Sequence, residues 1–131
     1  MNKRQVEKLL PKAIETLNQS DILKTDEQGD YIEKGFRSQI SSFGAAVTMG
    51  SFRAAVAFFG NNGESDVDRA ELIRAMYYMT KGGWLSAQDI VKEIASIRNR
   101  AQLAQMKEDF LNASVALKLA LNSFRLKEKT E

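Results

Sequence analysis

Neither histidine nor cysteine occurs in this chain. The first absence removes the commonest general base and the commonest metal ligand. The second removes disulfides and thiolate metal sites, a composition that fits a reducing cytoplasm. Proline is nearly absent too, with a single residue in 131. Together with many Ala, Leu, Glu and Lys residues, that favours helix. Long apolar runs are missing, so no segment is expected to cross a membrane. The N-terminal MNKRQVEKLLPKA alternates charged and apolar residues and lacks the continuous apolar stretch of a signal peptide. Charge of one sign is not in excess: 19 basic against 17 acidic residues leave a formal charge of +2. Such a balance permits a nucleic-acid partner without demanding one. No alternation of period two persists, so no sheet is expected.

Sequence signatures of catalysis are also lacking. There is no HExxH motif, no phosphate-binding Walker loop and no dinucleotide-binding glycine fingerprint. The acidic pairs Asp66 with Asp68 and Glu108 with Asp109 stand without further ligands at metal-binding spacing. Ser41 and Ser42 have no histidine to activate them. The expectation is a protein that is not an enzyme, with no metal, no cofactor and no small-molecule ligand.

What is present is helical periodicity. Val6, Leu9, Leu10, Ala13, Ile14 and Leu17 form a stripe over residues 3–19, with Pro11 inside one kinked helix. Residues 20–30, SDILKTDEQGD, read as a flexible polar connector. The centre of the chain is the segment 36–59, rich in phenylalanine and free of acidic residues. Ile32, Phe36, Ile40, Phe43 and Val47 make one apolar stripe, and Phe52, Ala55, Val56 and Phe59 a second. Gly50 is expected to end the first helix in a left-handed conformation, and Ser51 to cap the second. A capping box at Ser65 and Asp68 opens a helix bearing Leu72, Ile73, Met76 and Tyr77, which stops at Gly82-Gly83. Ser86 and Asp89 open the next, with Ile90, Ile94 and Ile97 inward. Residues 96–100 are either a joint or a continuation. The last segment has the most regular period: Leu103, Met106, Phe110, Ala113, Leu117, Ala120 and Phe124, ending in a frayed tail at 126–131. That narrow seam suits a core helix or a coiled-coil partner. The predicted fold class is all-α, a single compact bundle of about five to seven helices over residues 1–131.

Arginines and one lysine on these largely apolar helices are the candidate site residues. Arg37 and Arg53 project from the two arms of the central hairpin. Arg98 and Arg100 stand at the last joint, and Lys118 and Arg125 on the final helix. Contacts to a phosphate backbone need such charges and no sequence motif. Tyr31, Tyr77, Tyr78 and Trp84 are the aromatics able to stack on bases. None of them is set among dense basic residues in the sequence.

Two stretches carry a family resemblance. One is Phe36-Arg37-Ser38 through Ser41-Ser42-Phe43-Gly44, then Thr48-Met49-Gly50-Ser51-Phe52-Arg53-Ala54-Ala55-Val56-Ala57-Phe58-Phe59. The other is Asp109-Phe110-Leu111 followed by Ala116-Leu117-Lys118. With the element order, they resemble the small all-helical subunit of the type III-B CRISPR effector, the Cmr complex. Many members end in a tryptophan-leucine-basic-basic run, where this chain has Leu121-Asn122-Ser123-Phe124-Arg125. The resemblance implies a non-catalytic, cytoplasmic subunit in antiviral defence. Copies would stack head to tail beside the backbone and large subunits and line a basic channel for guide RNA and target RNA. Arg37, Arg53, Arg98, Arg100, Lys118 and Arg125 would then be the phosphate contacts. The alternative from another class is a helical protein-interaction or dimeric adaptor module that uses the C-terminal seam.

Overall fold

The computed structural model describes residues 2–61 and 67–128. Its first element, α1 (Lys3–Gln19), is capped by Asn2, whose side chain accepts from the backbone N–H groups of Arg4 and Gln5. Pro11 lies inside it without ending it. Val6, Ala13 and Leu17 are buried, while Leu9 and Leu10 are partly buried against the same core. Ser20 closes the helix, its hydroxyl donating to the Leu17 carbonyl.

The next segment corrects the sequence expectation. Residues 23–33 are a β-hairpin rather than a polar connector. β1 (Leu23–Asp26) and β2 (Gly29–Glu33) pair antiparallel around Glu27-Gln28, with Asp26 opposite Gly29. Gly29 has φ 107°, a conformation that glycine adopts without steric cost. β3 (Arg125–Lys127) then adds in parallel to β2, so part of the expected frayed tail is a strand. The sheet exists because its inner row, Leu23, Ile32 and Leu126, has a core to lie on. Strands of three to five residues are too short to display a period, and the third comes from the far end of the chain.

Around this small sheet the protein is helical, with six helices among the described residues. α2 (Gly35–Met49) and α3 (Phe52–Gly60) form the central hairpin. Phe36, Ile40, Phe43, Val47, Phe52, Ala55, Val56 and Phe59 are all buried, as both stripes require. Ser51 caps α3 by accepting from the Ala54 N–H. Gly50 is not left-handed; its φ is −133°. Glycine is favoured there for space, because an added Cβ would lie 3.0 Å from the Ala46 carbonyl oxygen.

α4 (Arg69–Lys81) ends at Gly82, which is left-handed with φ 90°. The expected box of Ser65 with Asp68, like the pair Asp66 with Asp68, falls partly on residues 62–66, outside the described residues. Asp68 occupies the N-cap without a side-chain bond. α5 (Ala87–Ser96) starts at Ser86, whose hydroxyl accepts from the Asp89 N–H. Residues 97–99 are a joint, and Asn99 caps α6 (Arg100–Leu121).

α6 is the central pillar, packed against α1, α2 and α4. Met106, Phe110, Ala113, Leu117 and Ala120 are buried inside the chain's own core. Phe52 meets Phe110 edge to face at 5.2 Å, tying hairpin to pillar. The regular seam is therefore consumed in folding, which takes away the surface an adaptor would use. No described helix is long and apolar enough to cross a membrane.

Candidate nucleic-acid interface

The six predicted contact residues separate into three neighbourhoods. Arg37 and Lys118 share one. Lys118 donates to the Ser41 hydroxyl one turn along α2 from Arg37, at 2.6 Å. Arg98 and Arg100 lie at the other end of α6. Eighteen residues of helix separate Arg100 from Lys118, about 27 Å at the α-helical rise. Arg53 reaches this second end, and Arg125 is in the sheet. No single phosphate can meet both ends of α6.

Two of the six are committed within the fold. The Arg53 guanidinium donates to the carbonyls of Ile94 and Ile97, where α5 ends. It adds a charged donor at a helix C-terminus, where the Ile94 carbonyl otherwise takes only the Ile97 N–H, at 3.3 Å. Arg125 donates to Asp26, to the Gln28 side chain and to the Gly29 carbonyl. Lys127 grips the other oxygen of Asp26 at 3.0 Å. The bonds from Lys127 and Arg125 hold the Asp26 carboxyl well below the usual carboxylate range. Arg125 is thus first a pin between β3 and the hairpin turn.

Arg37, Arg98 and Arg100 are exposed, and their guanidinium groups make no hydrogen bond or ion pair among the described residues. Their placement is electrostatically unusual. A helix N-terminus carries partial positive charge and ordinarily attracts carboxylates. Here α1, α2, α3 and α6 have no acidic residue in their first turns. Those turns hold Lys3 and Arg4, Arg37, Arg53 and Arg100 instead. Each such cation costs roughly 0.3–1 kcal/mol against the dipole, a cost relieved when an anion binds there.

The joint between α5 and α6 is the best-formed of these sites. A cavity of about 580 Å³ is lined there by Tyr77, Lys81, Glu93, Arg98, Asn99 and Gln102, among others. The Tyr77 hydroxyl donates to both Glu93 oxygens, at 2.9 and 2.8 Å. Burial first, and then the Glu93 carboxylate, push the Tyr77 phenol up to about 12. Lys81, absent from the sequence prediction, ends α4 on this wall. Its signal was available, since Lys81 opens the stretch 81–107, whose five basic and two acidic residues make it net basic, beside Gly82.

The sheet supplies another residue that sequence reasoning passed over. Tyr31 lies on the outer face, with Lys127 at 4.9 Å and Arg125 at 5.4 Å from its ring centre. An aromatic set among cations does exist, assembled by the parallel pairing of β2 with β3. Its cations are balanced by Asp26, and Lys24 is balanced by Glu33. Tyr78 and Trp84 stack on each other at 4.5 Å, with Lys12 over the Tyr78 ring. They join α4 to α1, with Tyr78 bonded to Glu15 and Trp84 to Gln19. Among the described residues no cluster of side chains is suited to hold a metal ion. Compared with known proteins, the chain matches no family model, no curated protein and no solved structure.

Proposed function

We propose that this protein is the non-catalytic small subunit of a type III-B CRISPR ribonucleoprotein effector, of the Cmr kind. In this role it is cytoplasmic, sits in several copies beside the backbone and large subunits, and touches the phosphate backbone of the guide and target RNA. The observation that carries the reading is the placement of cations. Arg37 and Arg100 occupy first helical turns free of acidic residues, and Arg98 flanks the second of these turns. That arrangement suits several phosphates along an extended strand or duplex rather than one small anion. Arg37 also sits where the family resemblance lies, in the α2–α3 segment that carries most of it.

Arg53, Lys118 and Arg125 take secondary parts in this reading. Arg53 and Arg125 shape the joint and the sheet. Lys118 shares its neighbourhood with Arg37. A single copy with a net charge of +2 binds RNA weakly, and tethering of several copies along one duplex supplies the affinity.

Reconstitution tests the proposal. The chain is combined with the backbone and large subunits of a type III-B effector and with guide RNA, then sized and sedimented. More than one copy per complex is expected, with incorporation dependent on RNA. A complex that assembles fully and binds target RNA equally well without this chain, while the chain stays free, would refute the role.

A further inference from the structure

α2 and α6 leave an open groove between them on the outside of the bundle. Its volume is about 360 Å³, and its floor and walls include Ile40, Gly44, Thr48, Leu111, Ser114 and Val115. Helix periodicity extends it past the cavity in both directions. On α2, Arg37, Ser41, Ala45 and Met49 recur at four-residue spacing and are all exposed. On α6, Leu111, Val115 and Leu119 recur at the same spacing; Leu119 is exposed, while Leu111 and Val115 are half-buried against the core. These are two ridges of the kind that helix packing fits together, with a channel between them. Met49 is 87% exposed and Leu119 48%, large apolar side chains at the channel's ends. Twelve residues from Arg37 to Met49 make the channel about 18 Å long.

Charge completes the description. From Lys34 to Gly60 the chain has no acidic residue, and from Phe110 to Leu121 the only charge is Lys118. The antiparallel run of the two helices puts Lys118 at the same end as Arg37. Lys118 is half-buried as a residue, and among the described residues its ammonium donates to a neutral hydroxyl, that of Ser41. An ammonium has three donors and gains most from a carboxylate. The groove is therefore mostly apolar, with the hydroxyls of Ser41, Thr48 and Ser114 in its lining, and cationic at one end.

We infer that this groove docks an amphipathic helix of a partner protein, apolar along one face and carrying a carboxylate at the end that meets Lys118 and Arg37. A nucleic-acid backbone is the poorer occupant, because it has no apolar stripe to cover Met49, Leu111, Val115 and Leu119. The inference goes beyond the ribonucleoprotein reading and does not depend on it.

The test uses the full chain, labelled with ¹⁵N, and a synthetic helical peptide of about 15 residues. The peptide has apolar residues at i, i+3, i+4 and i+7 spacing and glutamates at one end. A second peptide has lysines in their place. Binding of the first should shift the amide signals of Gly44, Ala45, Thr48 and Val115. The lysine peptide should bind about tenfold more weakly, and Lys118→Glu should reverse that preference. Gly44→Leu should abolish binding of both. A Cβ added at Gly44 meets nothing within 4 Å and opens on the groove, so the variant should keep its helix content and thermal midpoint. Should it not, the charge reversal at Lys118 decides the matter alone. Three results would overturn the inference: no shift at these residues, equal binding of both peptides, or the same signals moving with a short RNA duplex but not with peptide. Signals at the groove that move on diluting the free protein would put a second copy there instead and overturn it equally.

Discussion

Removing the three exposed arginines together, Arg37→Ala, Arg98→Ala and Arg100→Ala, separates function from folding. None of their guanidinium groups has an intramolecular partner among the described residues, so the fold should lose nothing by their removal. Two of them oppose a helix dipole, so the variant should be more stable, by roughly 0.6–2 kcal/mol at low ionic strength. RNA binding should respond differently. Each phosphate no longer neutralised lowers the slope of log affinity against log salt by about 0.7–0.9. Three lost contacts make a fall of about 2–3 for each copy in the assembled complex. The comparison is Arg53→Ala, which removes the donors to Ile94 and Ile97. Hydrogen bonds from charged groups contribute about 1.5–3 kcal/mol, and water replaces part of that here, leaving a cost of about 1–2 kcal/mol. At an m-value of about 2 kcal/mol/M in urea, the midpoint should drop by about 0.5–1 M. Urea titration followed by circular dichroism measures the second effect. Filter binding of target RNA at four or more salt concentrations measures the first. An unchanged slope in the triple variant would refute the phosphate assignment. A reduced slope for Arg53→Ala with an unmoved urea midpoint would refute its capping role.

Other perturbations follow from the same geometry. Phe43 is fully buried and meets Phe59 edge to face at 5.4 Å, so Phe43→Ala should cost about 3–5 kcal/mol. Phe58→Ala in the same hairpin should cost less than about 1 kcal/mol, since Phe58 is 61% exposed and loses mainly its contact with the Arg69 guanidinium; equal losses in urea titrations would mean the core assignment is wrong. The depressed Asp26 carboxyl stabilises the sheet above the ordinary aspartate range near pH 4, and this contribution disappears as pH falls through its lowered folded value. Amide exchange at Arg125 to Lys127 should therefore accelerate on acidification before that of α6 does, and Asp26→Asn should show the same fast exchange at neutral pH. Tyr77, neutral in the fold up to about 12, gives stability that is complete below pH 10 and lost as pH rises through 12. Tyr77→Phe should flatten that alkaline loss in pH-dependent denaturation, and an unchanged profile would deny the Tyr77–Glu93 bond its role.

Much of the helical frame was legible because it is written locally. The stripes of α2 and α3 lie within a few turns of themselves, so spacing alone identified Phe36, Ile40, Phe43 and Val47, then Phe52, Val56 and Phe59, as core. Ser51, Ser86 and Gly82 act where their chemistry said they would, because a cap bonds residues two or three positions away. Gly50 kept its place at the turn for a different reason, the closeness of the Ala46 carbonyl. The expectation of no sheet failed because pairing of Tyr31 with Arg125 joins residues from opposite ends of the chain.

The candidate site divides in the same way. Sequence by itself determined that arginines would stand on apolar helices, that two helices would meet at Gly50, and that no histidine or cysteine would do chemistry. It could not determine which of those charges are free. Arg53 and Arg37 look alike in the chain, each placed near the start of a helix. Only the packing of α3 beside α5 brings carbonyl oxygens within reach of Arg53. Only the return of β3 to the hairpin gives Arg125 its aspartate and Tyr31 its cations. Helix spacing and caps are short-range and set by backbone geometry. The partner of a long, flexible cation is whichever acceptor the tertiary fold brings to it.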